Sequence, residues 1–467
     1  MKMANFLNYT LTGGLSEVQI EKIHQDALQV LNKVGVNVPH PETLQLLSKC
    51  KGVSMEGTRV RYDPNVVNAC LKEACAAGED SSKREKRNSA ALKARVGGIA
   101  LHILDMNTGK IRDSLTEDLI EMTKLADSLG MEGVAPVVPQ DIHPGLQDIA
   151  IHKVCWENSK NIGGGRVSSL ESAEYIYQIA QIAEKPFSLP LWVSSPLEIN
   201  PANLEVILPF LNRKVPMHTW SMPLMGVSAP IFLRSAIIQG IAECLGGLTT
   251  LQLITRGGRV SFGLDMCPFD MKYSNAVYGS PEHNIIGLMQ FQIFKFYGFP
   301  VVRIKGFKSM GKEPDAQTAA ERAMAVLAGA LLGAEAFHAA GRISEDELFS
   351  GEQLVIDNEI INYVSRFVKS FELEDKGSSL ELIKEGVAEG SYLGHPSTVK
   401  HYRETFWIPE LFEYSKLDQW KSKGSQSIRE KAREIAKKKI KEHHFQLNRD
   451  VKREMNRVWK KAKQSLE

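Results

Sequence analysis

Trp192 and Trp220 are two of only six tryptophans, and each stands at or near the end of a short apolar run, Ser188–Val193 and Val215–Trp220. Indoles at one end of neighbouring strands can wall a binding mouth, and their ring faces suit a quaternary ammonium ion at about 0.5–2 kcal/mol per contact. The same rings would serve equally as core packing. Phe262, Tyr273 and Tyr278 are near enough in the chain to extend such a cage. Other chemically capable residues also fall just past apolar runs: Gln140, Asp141 and His143; Arg166; Ser194; His218 and Ser221; Asp265; Arg303 and Lys305; and His338. His338 or Arg303 would supply donors for a carboxylate, although a lone histidine in the apolar stretch AEAFHAAGR also fits a structural role. Lys305 and Lys308 are the amines a Schiff-base lyase or aldolase would use.

The missing motifs narrow the chemistry. The chain has no H-E-x-x-H, no G-x-S-x-G, no phosphate-binding G-x-x-x-x-G-K-[ST] and no dinucleotide fingerprint after its first strand. Asp141 and His143 have no third ligand nearby, so no protein-bound metal is expected. Gly163-Gly164-Gly165 reads as a tight turn rather than a phosphate cradle. The six cysteines form no C-x-x-C pair, which fits reduced, mostly buried thiols. No apolar signal-peptide core opens the chain, and no apolar run of 18 to 20 residues is evident, so a cytoplasmic protein that binds neither membrane nor nucleic acid is expected.

The elements that must position these residues alternate regularly. Strand-like runs at Gly133–Val138, Asn161–Val167, Ser188–Val193, Val215–Trp220, Arg259–Leu264, Phe299–Ile304 and Ala334–Ala339 are separated by helical patterns beginning at Thr116. The runs are apolar on both faces, as in a parallel sheet covered by helices. An α/β fold of the (β/α)8 TIM-barrel type follows, with catalytic groups at the C-terminal ends of the strands. Residues 1–115 read as an N-terminal helical layer with a short β hairpin, in which Glu79–Arg95 is a polar connector. Residues 116–420 read as the barrel and 421–467 as a basic tail.

Three ordered blocks carry a resemblance. Trp220-Ser-Met-Pro-Leu-Met-Gly with the helix to Ile241-Ala-Glu, the run Gly311–Ile360 containing EPDAQTAAERA and SGEQLVIDNEI, and Tyr392-Leu-Gly-His-Pro followed by Trp407-Ile-Pro-Glu-Leu-Phe resemble the trimethylamine methyltransferase family. The resemblance implies a barrel that moves a methyl group from a methylamine to the cobalt of a corrinoid carried by a cognate corrinoid protein. The chain consists of standard residues, whereas the trimethylamine enzyme proper uses pyrrolysine. It is therefore similar to the branch that demethylates quaternary amines such as glycine betaine, proline betaine, carnitine or γ-butyrobetaine. On this reading Trp192, Trp220 and Phe262 hold the ammonium, Arg303 or His338 the carboxylate, and Asp265 lines the same mouth. His395, His401 and Arg403 match the closing block without an assigned role. A non-catalytic betaine-binding barrel is the further alternative.

The formal charge of +2 conceals a division. Residues 421–467 hold 16 Lys+Arg against 6 Asp+Glu, and the rest of the chain 41 against 49. Ser427–Lys463 has neither Pro nor Gly and reads as one long helix. Its apolar side packs on its own barrel or a second subunit, or docks an acidic corrinoid protein. A homo-oligomer is expected.

Overall fold

The computed structural model describes residues 6–7, 9–82, 92–98, 100–299, 303–369, 371–372 and 377–467. Its parallel strands form two arcs. In the first, β3 (Leu189–Ser194), β4 (Met217–Ser221) and β5 (Val260–Leu264) lie in register, with Trp192 opposite Trp220 and Trp220 opposite Gly263. In the second the order is β6 (Arg303–Ile304), β7 (Ala336–Ala340), β1 (Lys93–Val96) and β2 (Glu132–Gly133), all parallel. A single parallel bridge carries β2 on to Ile162. Pairing of β7 with β1 sets the last strand beside the first. Among the described residues no ladder joins the two arcs, so the expected eight-stranded closed ladder is not seen.

Several expected elements change. β1 begins inside the stretch read as a connector, of which residues 83–91 lie outside the described residues, and runs one residue past it. Its alternation Lys-Ala-Arg-Val places Ala94 and Val96 in a core with Phe337 and Leu354, and Lys93 and Arg95 on the other face. Two long cations in a short strand look like solvated surface until the buried face is known. A boundary at 115/116 separates β1 from both strands it pairs with. Gly133–Val138 is regular only at its start, and Asn161–Val167 contributes only the bridge at Ile162. The glycine run there is a close approach: a Cβ on Gly163 would lie 2.1 Å from the Trp156 indole nitrogen.

Helices cover both arcs. α6 (Leu233–Thr255) packs on β3, β4 and β5 and on α1 (Glu17–Lys33) and α2 (Pro64–Ser82). A Cβ on Gly247 would meet Thr219 Oγ1 at 2.2 Å, so this glycine sets the helix-to-sheet distance. α6 corrects one expectation, because it is long and apolar enough to cross a membrane, yet it is mostly buried within this fold. Over the second arc lie α3 (Thr116–Ser128), α8 (Ala316–Leu331) and α9 (Gly351–Val368). Arg322 on α8 and Asp357 on α9 are fully buried and paired, and Asp357 also accepts from Gly341 N at 2.7 Å. Glu359 accepts from the amides of Leu411 and Phe412. The second and third sequence blocks therefore meet on α9.

The tail is not one helix. It forms two helices, α12 (Ile428–Lys441) and α13 (Arg449–Leu466). Ala432 and Ala436 face α9 and α3, while Met455, Val458 and Ala462 face α4 (Pro144–Asn158) and α5 (Leu170–Ala183). The two tail helices thus cover different helix pairs, and the helix breaks between them. Asn448 caps α13, and His443 Nε2 lies 3.1 Å from Asp127 at the turn. Glu352, buried at the start of α9, takes both Arg429 and Arg433.

Candidate active site

Side chains alternate across β3 and β4. Leu191, Val193, Thr219 and Ser221 face α6, which leaves Trp192, His218 and Trp220 on the opposite face, toward the interior. The two indole centroids are 6.5 Å apart with planes 32° from parallel. Trp220 lies over Gly263, where a Cβ would fall 2.5 Å from its ring, so only glycine leaves room for it there. Trp192 is 44% exposed and opens toward solvent. His218 stands edge-on to Trp220, and burial pushes its pKa down to about 4, so the imidazole is neutral.

Phe262 does not join them. Its register partner is Thr219, so it points to the helix side and packs on Phe294 and Phe299, 5.2 and 4.7 Å away between centroids. A one-residue difference along a strand reverses the face. Tyr273 is exposed and Tyr278 buried.

Lys305, just past β6, connects the arcs. Its Nζ is 5.0 Å from the Trp220 ring centroid and 3.5 Å from Asp265 Oδ2. Asp265 follows β5, with its amide donating to Ser221 O at 3.0 Å. The buried Lys308 ammonium donates to the same carboxylate at 2.8 Å, lies 3.4 Å from Asp346, and sits 3.6 Å from the Tyr278 centroid. Burial would raise the Asp265 pKa, but Lys305 and Lys308 overcome it and hold the group ionised, well below the usual carboxylate range. Lys305 is pushed down to about 8, chiefly by desolvation and further by the neighbouring Lys308 and Arg342, with Asp265 opposing.

The second arc supplies a polar wall. His338 lies opposite Arg95 in the register of β7 and β1, on the face away from Phe337 and Ala339. Glu132 on β2 accepts from Arg95 Nη1 at 2.5 Å and Lys93 Nζ at 3.3 Å. The Arg95 Nε is buried without a hydrogen-bond partner. Arg303 pairs through its backbone with Ala336, and its side chain is outside the described residues. The strand faces turned away from the helices therefore carry Trp192 and Trp220 on the first arc and the polar groups Arg95, His338 and Glu132 on the second, with Lys305 reaching Trp220 from the second to the first. Arg95 and Glu132 were missed from the sequence; the alternation in Lys93–Val96 was the available signal.

The remaining candidates brace the rim. Asp141 accepts from Thr116 N and Oγ1, His143 caps α4, Gln140 donates to Val138 O, and Arg166 pairs with Asp148 at 3.1 Å. Glu243, wholly buried on α6, accepts from Ser195 Oγ at 2.7 Å, Leu197 N at 3.0 Å and Ser221 Oγ, which fixes the loops after β3 and β4. Among the described residues no three His, Cys, Asp or Glu side chains gather as a metal site requires.

The family described as trimethylamine methyltransferase (MTTB) matches residues 6–467. The trimethylamine methyltransferase MttB of Desulfitobacterium hafniense (strain DSM 10664 / DCB-2) is 26% identical over 445 residues, 91% of this chain and 88% of that protein. The glycine betaine methyltransferase of Desulfitobacterium hafniense (strain Y51) is 26% identical over 425 residues, covering 87% and 88%. The crystal structure of the Methanosarcina barkeri monomethylamine methyltransferase shares the fold, with a TM-score of 0.50 at 10% identity over 94% of this chain and 90% of that one. The match of one family along nearly the whole length means that the chain belongs to the trimethylamine methyltransferase family.

Proposed function

We propose that this protein moves a methyl group from a quaternary amine of the betaine type to a corrinoid carried by a separate protein. The observation that carries the reading is the approach of Lys305 to Trp220, which brings an aromatic strand face and a polar one together. Trp192 and Trp220 offer ring faces to a cationic head, and Lys305, with Arg95 and His338 behind it, offers donors to a carboxylate. A betaine has both groups on one small molecule. Trimethylamine has no carboxylate and would leave the cationic side unused. The two arcs are read as one barrel whose seams lie between Ile162 and β3 and between β5 and β6.

The chemistry asks little of the protein in acid or base. A quaternary ammonium loses a methyl group as a neutral tertiary amine, so no proton need be supplied. The acceptor, a corrinoid in its Co(I) form, supplies the nucleophile. What remains for the chain is to desolvate the ammonium, hold the carboxylate and aim one N-methyl outward past the exposed edge of Trp192. Neutral His218 adds no competing charge beneath the rings.

The test is to mix the protein with a Co(I) corrinoid protein and glycine betaine, proline betaine, carnitine or γ-butyrobetaine. Methyl-cobalt absorbance should appear with at least one of them, and its absence with all four refutes the reading. A second reading, a Schiff-base enzyme, is favoured only by the lowered pKa of Lys305. Borohydride trapping with carbonyl substrates decides it. Binding of a betaine without demethylated product would support the non-catalytic alternative.

A further inference from the structure

The segment after α9 exposes much apolar surface for its length. In α10 (Ser379–Glu389), Leu380, Ile383 and Val387 form one stripe, with Val387 74% exposed. In α11 (Pro396–Thr405) and just beyond it, Val399, Tyr402 and Phe406 are exposed as well, and Leu393 between the helices is 85% exposed. Gly386 is the one buried residue recorded in α10, and α11 has none. Apolar residues spaced three and four apart are the pattern of a helix that buries a face. Among the described residues nothing in the same chain covers it, and monomers rarely leave contiguous apolar surface in water.

The segment is nevertheless a built platform. His395 caps α11 by accepting from Ser397 N, and its Nε2 lies 3.1 Å from Glu385 on α10. The Tyr392 ring sits against Gly386, where a Cβ would lie 2.0 Å from Cζ. Arg366 on α9 donates to Thr405 O. The closing sequence block thus braces two helices against each other and presents their apolar faces outward.

We propose that this platform is covered by the same platform of a second copy of the chain, related by a two-fold axis. The exposed charges favour self-pairing. α10 presents Glu381, Glu385 and Glu389 against Lys384, whereas α11 presents Lys400 and Arg403 against Glu404. A two-fold that lays α10 of one copy on α11 of the other opposes these charges and buries both apolar stripes. A corrinoid protein fits this surface less well. Asp357 ties the first half of α9 to the C-terminal end of β7, and the platform leaves from the far end of that helix. Roughly 17 Å of helix separates Asp357 from the end of α9, so a partner seated here sits at the end away from the strand end that Asp357 touches.

Sedimentation velocity on the full chain provides the test. The wild-type protein should sediment as a dimer or a multiple of it at micromolar concentration. I383E/V399E should weaken association at least about tenfold while keeping the far-ultraviolet spectrum of the wild type. Because those two changes could also disturb folding, an exposed charge pair gives a second arm: E381K/E389K should weaken the dimer, and adding K400E/R403E should restore it. A monomeric wild type, an I383E/V399E protein that keeps the wild-type assembly, or charge reversals that neither weaken nor restore would each overturn the proposal.

Discussion

The ammonium of Lys305 stands 5.0 Å from the centroid of the Trp220 indole and 3.5 Å from the Asp265 carboxylate, bridging the two arcs of parallel strands. It is the point at which the aromatic strand face and the polar one meet, and it organises the expectations for activity.

Removing an indole should weaken substrate binding before it affects the fold. Trp192 is partly exposed and its loss leaves a surface gap, so W192A should raise the KM for a betaine by roughly 2- to 30-fold, the equivalent of about 0.5–2 kcal/mol. F262L should behave oppositely, lowering the urea midpoint with KM unchanged, because Phe262 packs on Phe294 and Phe299 on the helix side. Steady-state kinetics beside urea melts separates the two.

Betaine affinity should depend on pH through Lys305. Its pKa is about 8, so the ammonium that would meet the carboxylate is largely present below pH 8 and is lost as pH rises through that value. Isothermal titration between pH 6.5 and 9.5 should show affinity falling across about pH 8. K305M should bind weakly and lose the dependence. A wild-type profile flat across that range counts against the assignment.

Asp265 should matter more to the buried Lys308 than its place beside Lys305 suggests. D265N removes the nearest counter-charge of an ammonium with almost no exposure, leaving Asp346 at 3.4 Å. Stranding a buried charge typically costs about 3–5 kcal/mol. Urea unfolding of D265N should show a loss of that order, and D265N/K308M should recover much of it.

Acid should destabilise the protein through His218. The unfolded imidazole has an ordinary pKa near 6.5, while burial lowers the folded value to about 4. Between those values the unfolded state binds the proton first, so stability is full above about 6.5 and falls as pH drops toward 4. At about 1.4 kcal/mol per unit the loss approaches roughly 3 kcal/mol. H218Q should flatten this part of a stability-against-pH curve.

The tail should detach when its anchor is neutralised. Glu352 is buried and takes two arginines of α12. E352Q should expose the lysine-rich tail to trypsin at concentrations that leave the wild-type tail intact, as seen by mass spectrometry of the fragments.

Much of the secondary structure was legible in the sequence because local physics sets it. The helical pattern that begins at Thr116 and the runs that became β3, β4 and β5 are decided by a few neighbouring residues. β1 was hidden because Lys93 and Arg95 are balanced by Glu132, distant in sequence. The break between α12 and α13 contains neither Pro nor Gly, so no local residue forces it; the need to cover two separate helix pairs does.

The candidate site divides along the same line. The sequence by itself determined that aromatic residues, lysines and a histidine collect near strand ends, that common nucleophile and metal motifs are missing, and which family the ordered blocks resemble. Tertiary structure alone decided which of these groups share a space. Trp220 and Phe262 differ by one step in register and so face opposite ways, while Lys305 and Trp220, 85 positions apart by their numbers, come within cation–π reach. Side-chain type is a property of each residue. Facing and adjacency come from strand register and from the order in which the strands pair, and both are set by contacts between residues far apart in the chain.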